Sequence, residues 1–127
     1  MNIQTHQKIS RSLCGQPVAV EAGYSRVEME TRTDMAVDEL GLVHGGFVFG
    51  QADYAAMIAV NDPNVVLGAA EVKFLKPVEA GATTIAEARV TEVSGKKQIV
   101  DVTVKLGEMP VFEGRFTCFV LAKHVLK

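Results

Sequence analysis

The amino-acid sequence predicts an α+β fold in which one curved antiparallel β-sheet wraps around a single central helix. Three observations carry that expectation. Residues Gly45 to Val60 form one long run that is apolar on nearly every side, and four strand-like segments follow it. The turns between those segments carry Pro77 and Gly81, then Ser94 and Gly95, then Gly107, as hairpins need. A helix of this kind belongs in an interior and needs a packing partner all round, which a curved sheet supplies economically. One sheet covers only part of it, so a second subunit is expected to add cover and to pair with strand edges left open.

In chain order, Thr5 to Leu13 has the pattern of a short helix with Thr5 as its cap. Tyr24 to Thr33 reads as a strand, because Tyr24, Arg26, Glu28, Glu30 and Arg32 point one way and Val27 and Met29 the other. The run from Gly45 to Val60 is too long for a strand and rich in Ala and Met, which favours helix. Asn61, Asp62 and Pro63 end it, since proline cannot continue the hydrogen-bond ladder and biases the preceding residue away from helical geometry. Strands are expected over Val65 to Leu75, Thr83 to Val93, Gln98 to Leu106 and Pro110 to Ala122. In the third of these, Val100, Val102, Val104 and Leu106 alternate with Asp101, Thr103 and Lys105. That alternation marks an antiparallel sheet with one solvated face.

A length of 127 residues suits one domain spanning 1–127. With 48% hydrophobic and 22% charged residues, the composition is that of a soluble globular protein. A formal net charge of −2 leaves no electrostatic footprint for nucleic acid, which is not expected as a partner. No apolar leader and no stretch near the roughly 18 apolar residues of a membrane span occurs, so no membrane partner is expected and the cytoplasm is the expected compartment. Cys14 and Cys118 lack CxxC spacing, which indicates neither a disulfide framework nor a metal site and leaves them as buried or half-buried thiols.

Two residues do not fit the apolar run, Gln51 and Asp53. Gln51 suits a hydrogen-bonding structural role. An ionised carboxylate in a low-dielectric interior costs several kcal/mol unless it is paired or placed at a water-filled site. Asp53 therefore either accepts hydrogen bonds in a core or on a wet stripe, or acts as a general base or nucleophile in an apolar cleft. Just upstream, Gly41-Leu42-Val43-His44-Gly45-Gly46 opens the helix with two glycines. Free N–H groups at a helix N-terminus can hold an oxyanion, such as a thioester carbonyl in its tetrahedral state. The alternative is a plain loop-to-helix turn in which His44 packs or caps. Asp53 follows Gly45 by eight residues, which puts them about 12 Å apart along one helix axis. If both serve one carbonyl, the donor comes from one subunit and the carboxylate from another.

The segment Gly41 to Asp53, GLVHGGFVFGQAD, together with Phe74-Leu75-Lys76-Pro77, resembles the hotdog-fold thioesterases, and within them the phenylacetate-pathway-like group. The element order matches over Tyr24 to Ala122. The resemblance implies a hotdog fold and hydrolysis of a thioester between an acyl or aryl-acyl group and coenzyme A, with no cofactor beyond the coenzyme A of the substrate. The incompletely covered helix and the spacing of Gly45 and Asp53 lead to the expectation of a homodimer or homotetramer with sites at the subunit interface. In the family the acid nine residues after the motif histidine is the base or nucleophile, which falls on Asp53, and the first motif glycine polarises the carbonyl, which falls on Gly45. His44 and Gly46 are then expected to border the substrate. Lys96 and Lys97, along with Lys76 and Arg89, are candidates for the coenzyme A phosphates, or else solvated side chains.

The chain departs from the family pattern in three places. Asp38 stands six residues before His44, where many members carry Asn, and an ionised Asp cannot donate a hydrogen bond. Val65 to Lys76 contains no Ser or Thr to orient a water, and Glu71 stands there instead, either facing solvent or taking over that work. Two further readings accompany the hydrolase: a hotdog hydratase or dehydratase, and a non-catalytic acyl-CoA-binding or regulatory protein. Phe47, Phe49, Tyr54 and Met57 suit an acyl pocket and a core equally.

Overall fold

The apolar run folds as helix α2 over Gly45–Val60, the bounds the sequence predicts. It ends on Asn61, which takes the left-handed conformation (φ 54°, ψ 44°) and donates its N–H to Met57 O at 2.8 Å. Asparagine is among the few side-chain-bearing residues that visit this region readily. The computed structural model describes residues 1–127, and around α2 it places α1 (Arg11–Cys14), β1 (Gln16–Glu21), β2 (Tyr24–Glu30), a 3₁₀ turn (Thr33–Met35), β3 (Val65–Phe74), β4 (Thr83–Ser94), β5 (Lys97–Leu106) and β6 (Met109–Val120). The strands form one six-stranded sheet in the order β1-β2-β4-β5-β6-β3, antiparallel at every pairing. This is the hotdog arrangement of one curved sheet around one helix.

The period-two patterns decide which face packs on the helix. Val27 and Met29 of β2, Ala86 and Ala88 of β4, Val100, Val102 and Val104 of β5, and Phe112 and Phe116 of β6 are buried, as are Ala52 and residues Tyr54 to Ala59 of α2. Alanines along α2 let the sheet approach closely. No helix is long and apolar enough to cross a membrane. Both thiols fall as read, Cys14 half-buried and Cys118 buried.

The N-terminal helix expected over Thr5 to Leu13 is instead a single turn, Arg11–Cys14. His6 sits at φ 53°, outside helical geometry, and the Thr5 hydroxyl bonds the His6 ring at 2.7 Å rather than capping. The segment runs as a strap along α2. Asn61 accepts from Gln4 N–H at 2.7 Å and donates to Asn2 O at 2.8 Å, the His6 ring lies 6.4 Å from Tyr54, and Ile3, Ile9 and Cys14 pack on the core. Part of the helix cover expected from a second subunit thus comes from the chain's own N-terminal residues.

Strand β1 is not foreseen in the sequence. It pairs with β2 through a turn at Ala22 and Gly23, the latter at φ 72°. Strand β2 stops at Glu30, short of the expected Thr33, because the chain enters the 3₁₀ turn, where Arg32 pairs with Asp34 at 2.9 Å.

Gln51 is fully buried and fully bonded. Its Nε2 donates to Val27 O and Thr84 O, both at 3.0 Å, and its Oε1 accepts from the Thr84 hydroxyl at 2.7 Å. The amide pins α2 to β2 and β4. Replacing it with leucine strands buried carbonyls, so Gln51→Leu is expected to lose roughly 2–3 kcal/mol in urea denaturation; an unchanged midpoint would contradict this role.

Candidate functional site

The loop before α2 is held from both sides. His44 N–H donates to Met35 O at 2.9 Å, Val43 N–H to Val78 O at 2.9 Å, and Gly41 O accepts Ala80 N–H at 2.8 Å. Gly41 needs its positive φ of 87° to turn the chain here. Asp38 organises the same loop, its Oδ1 accepting the N–H groups of Leu40 at 3.0 Å and Leu42 at 3.2 Å. Only an acceptor is required for this, and aspartate supplies one as well as asparagine does.

Gly45 is the first residue of α2, where helix geometry provides no intrahelical acceptor for its N–H, and the carbonyl one turn upstream already accepts Ala80. The Phe74 ring lies over it so closely that a Cβ at position 45 would sit 2.9 Å from Phe74 Cε1. The two segments that carry the sequence resemblance therefore meet at one point. Between Gly45 and residues 74–78 lies a cleft of about 320 Å³ floored by Val48 and Val111. At Gly46 a Cβ would meet the ring of His44 at 2.9 Å. His44 occupies the N-cap position without a side-chain cap bond, is exposed, and turns its ring edge-on to Phe47 at 6.1 Å.

Asp53 is half-buried further along α2, with Oδ1 shut off from solvent and without a hydrogen-bond partner. Both ion pairs of the chain, Arg32–Asp34 and Arg115–Asp101, lie elsewhere. Burial pushes the Asp53 carboxyl up to about 6. The Cys14 and Cys118 thiols are raised by burial first and by the Asp53 charge second, Cys118 to about 12. No sequence signal tied either cysteine to Asp53. Within one chain the helix keeps Gly45 and Asp53 apart, and Asp53 does not line the cleft.

Lys76 lines the cleft, whereas Lys96 and Lys97 are exposed on the β4–β5 hairpin away from it. Arg89 stacks over the Tyr24 ring at 4.5 Å. Glu71 is exposed on β3 opposite Arg115 in register, so it faces solvent. Of the residues weighed for an acyl pocket, Tyr54 and Met57 are buried in the core and Phe49 packs on Phe112 and Phe116 at 6.5 and 5.6 Å. The cleft instead uses Val48, Val111 and Val78, none of which the sequence analysis singles out.

The Asp53 carboxyl has a testable consequence for stability. Its folded value, about 6, lies above the ordinary 3.8. The folded state then binds more protons across that window, and stability falls as pH rises through it. Below the window the penalty is absent, and above it the penalty is fully in force. Asp53→Asn is expected to gain up to about 3 kcal/mol over wild type at pH 7, a gain that fades as pH falls through the window and is gone below it. Equal denaturation midpoints at neutral pH would refute the desolvated carboxylate.

Known proteins place this geometry. A family model described as the thioesterase superfamily matches residues 40–113. The chain is 55% identical to an uncharacterized protein of Pyrococcus horikoshii whose crystal structure superposes with a TM-score of 0.99, covering 100% of this chain and 98% of that one. The phenylacetic acid degradation protein PaaI of Thermus thermophilus, in the structure of a mutant form, is 27% identical with a TM-score of 0.80, over 87% of this chain and 96% of that one. Among curated relatives, methylthioribose-1-phosphate isomerase of Aquifex aeolicus is 54% identical over 116 residues, 91% of this chain and 25% of that protein. Transcription factor FapR of Caldanaerobacter subterraneus is 28% identical over 120 residues, 94% of this chain and 60% of that protein. The chain thus spans a quarter of the first relative and 60% of the second. With more than half of its residues inside the family match, and both motif segments joined at one cleft, the chain belongs to the hotdog-fold thioesterase superfamily.

Proposed function

We propose that this protein hydrolyses an acyl-CoA thioester in the cytoplasm, with Asp53 as the catalytic carboxylate and the Gly45 N–H as the oxyanion donor. The observation that carries the reading is the half-buried Asp53, whose inner oxygen has no partner. Asp53 takes a proton from a water that attacks the thioester carbonyl. The oxyanion rests on Gly45 N–H, and collapse expels the coenzyme A thiolate, which is protonated as it leaves. Direct attack by Asp53 to form an anhydride is the variant of the same chemistry. His44 and Gly46 border the substrate, while Lys76 at the cleft and Lys96 and Lys97 on the hairpin meet the coenzyme A phosphates. No cofactor beyond the coenzyme A of the substrate enters the scheme.

The site is completed across a homodimer, a reading that the two sheet edges support. Edge strand β1 is six residues long and carries Pro17, a residue that discourages further pairing. Edge strand β3 is ten residues long, free of proline, and exposes Gly68, Ala69 and Ala70 at its middle. Antiparallel pairing of two β3 strands joins the sheets and sets the two α2 helices antiparallel. Gly45 of each chain is then carried toward the Asp53 half of its partner's helix, as the spacing demands. Two such dimers pairing into a tetramer is compatible with the same site.

A second reading, acyl-CoA binding without turnover, draws on the hydroxyl-free β3 with Glu71 turned outward and on the similarity to the FapR transcription factors. A hydratase finds less support, since the motif histidine, His44, sits inside the glycine turn at the N-cap of α2, with its ring edge-on to Phe47.

Release of free thiol from a panel of CoA thioesters separates the readings. Turnover is expected, falling by roughly 10²–10⁴-fold in Asp53→Asn; tight binding without turnover in wild type would favour the second. Because the base must be ionised, kcat/KM is expected to rise with pH through about 6. An acid limb that persists unchanged in the residual activity of Asp53→Asn would remove Asp53 as its source.

The protein is expected to sediment as a dimer or tetramer. Mixing Asp53→Asn with Gly45→Pro, once circular dichroism shows both folded, is expected to recover one intact site per mixed dimer. Proline removes the N–H donor at a helix position that suits its backbone, and its added carbons displace the Phe74 ring, which lies 2.9 Å from where a Cβ would sit. No recovery in demonstrated heterodimers would overturn the shared site.

A further inference from the structure

We infer that Ser25, Gln51 and Thr84 are positioning residues for Asp53, a buried polar clamp on the sheet side of α2 that fixes the rotation of the helix and with it the place of the carboxylate on the opposite side. The inference rests on the proposed function where it concerns turnover, while the placement of Asp53 follows from the fold.

The clamp grips α2 at two points that bracket Asp53. Two residues before it, Gln51 donates to Val27 O and Thr84 O, both at 3.0 Å, and accepts the Thr84 hydroxyl at 2.7 Å. Two residues after it, Ala55 O accepts the Ser25 hydroxyl at 2.6 Å. Ser25, Gln51 and Thr84 are completely buried. Residues 51 and 55 stand about one turn apart on a shared face, and residue 53 lies roughly 160° around the helix from either.

Packing gives this stretch of α2 little rotational hold, because its buried residues include Ala52, Ala55, Ala56 and Ala59. Short methyl groups interdigitate weakly, and dispersion contacts carry no direction. Hydrogen bonds do, since they weaken steeply as their angle departs from the line of the donor.

A standing force works against the clamp. The inner oxygen of Asp53 is shut off from solvent without a partner, and burial raises the carboxyl to about 6. Cys14 and Cys118 are the titratable groups that feel its charge, and neither bonds that oxygen. An ionised carboxylate so placed gains hydration if the helix turns toward water. With side-chain ends roughly 5–6 Å from the helix axis, a turn of about 10° moves the carboxylate by about 1 Å. A displacement of that size can cost roughly 10²-fold in rate.

The test compares Thr84→Val, which keeps the shape and removes the hydroxyl, Ser25→Ala, and Thr84→Ser, which keeps the hydroxyl, each shown folded by circular dichroism. NMR of the Asp53 side-chain carboxyl carbon gives its titration midpoint, and the acetyl, octanoyl and phenylacetyl thioesters of coenzyme A give kcat and KM. In Thr84→Val and Ser25→Ala the midpoint is expected to fall from about 6 toward the ordinary 3.8. In the same two variants kcat is expected to fall roughly 10–100-fold with KM little changed, since neither hydroxyl lines the cleft. Thr84→Ser is expected to recover both. A midpoint unmoved in Thr84→Val and Ser25→Ala, or wild-type kcat in variants whose midpoint has fallen, would overturn the clamp. Failure of Thr84→Ser to recover either quantity would assign the effect to packing and overturn it as well. A midpoint that falls in these variants while wild type hydrolyses none of the thioesters would uphold the positioning of Asp53 and overturn the hydrolytic reading.

Discussion

Everything in this fold answers to a helix that is apolar on all sides. Such a helix loses free energy wherever a side chain touches water, at about 25 cal/mol for each Å² of apolar surface left exposed, so each side must find cover. The sheet supplies most of it by curling, and inward residues of β2, β4, β5 and β6 are buried against α2. Asn61 supplies an unexpected share. By ending α2 in a left-handed turn and bonding Asn2 and Gln4, it anchors the N-terminal strap that runs back along the helix. What neither sheet nor strap closes is the stripe holding Gly46, Gly50 and Asp53, none of which is fully buried. The helix thus presents its glycines and its one carboxylate along the side where cover is incomplete.

The two polar residues of α2 meet opposite fates. Gln51 makes three hydrogen bonds and pays no penalty for its burial. Asp53 keeps one oxygen sealed from water and unbonded, with no cation beside it. Buried polar groups in native proteins are nearly always satisfied, so an exception that costs stability points to use outside the folded chain's own bonding. Gln51 holds the helix in register on the sheet; Asp53 is held by that register at a fixed place on the open stripe.

How much of this could be read from the sequence follows from how local each cause is. The bounds of α2 and the alternation of β5 were legible because composition, period and a terminating Asn-Asp-Pro all lie inside the segment concerned. Strand β1 was not, since Pro17 and the short apolar stretch after it carry no alternation, and only the neighbouring β2 makes it a strand. The expected N-terminal helix failed for a related reason: His6 turns out of helical geometry to lie against Tyr54, a contact across the fold. For the site, the glycine turn and the aspartate were each visible as misfits in an apolar run. Their setting was not, because the contact of Phe74 with Gly45 and the valine floor join segments distant in the chain.

Asp38 shows how a departure from a family pattern changes meaning once its contacts are known. Read as chemistry, an acid in place of an amide removes a donor that could have met substrate or water. Its Oδ1 instead accepts two backbone N–H groups within its own loop, a task that needs no donor. That loop carries Leu42 to the cleft rim and passes through Val43 and His44 into Gly45, with Val43 and His44 fixed by backbone bonds to Val78 and Met35. The carboxylate therefore contributes to the position of the Gly45 N–H, the oxyanion donor of the proposed reaction, through its own loop. Missing water-orienting hydroxyls on β3 are a different matter, because nothing in Val65–Phe74 replaces them and Glu71 faces away. In the proposed reaction the attacking water must be aligned by the outer oxygen of Asp53, since the inner one is shut off from solvent.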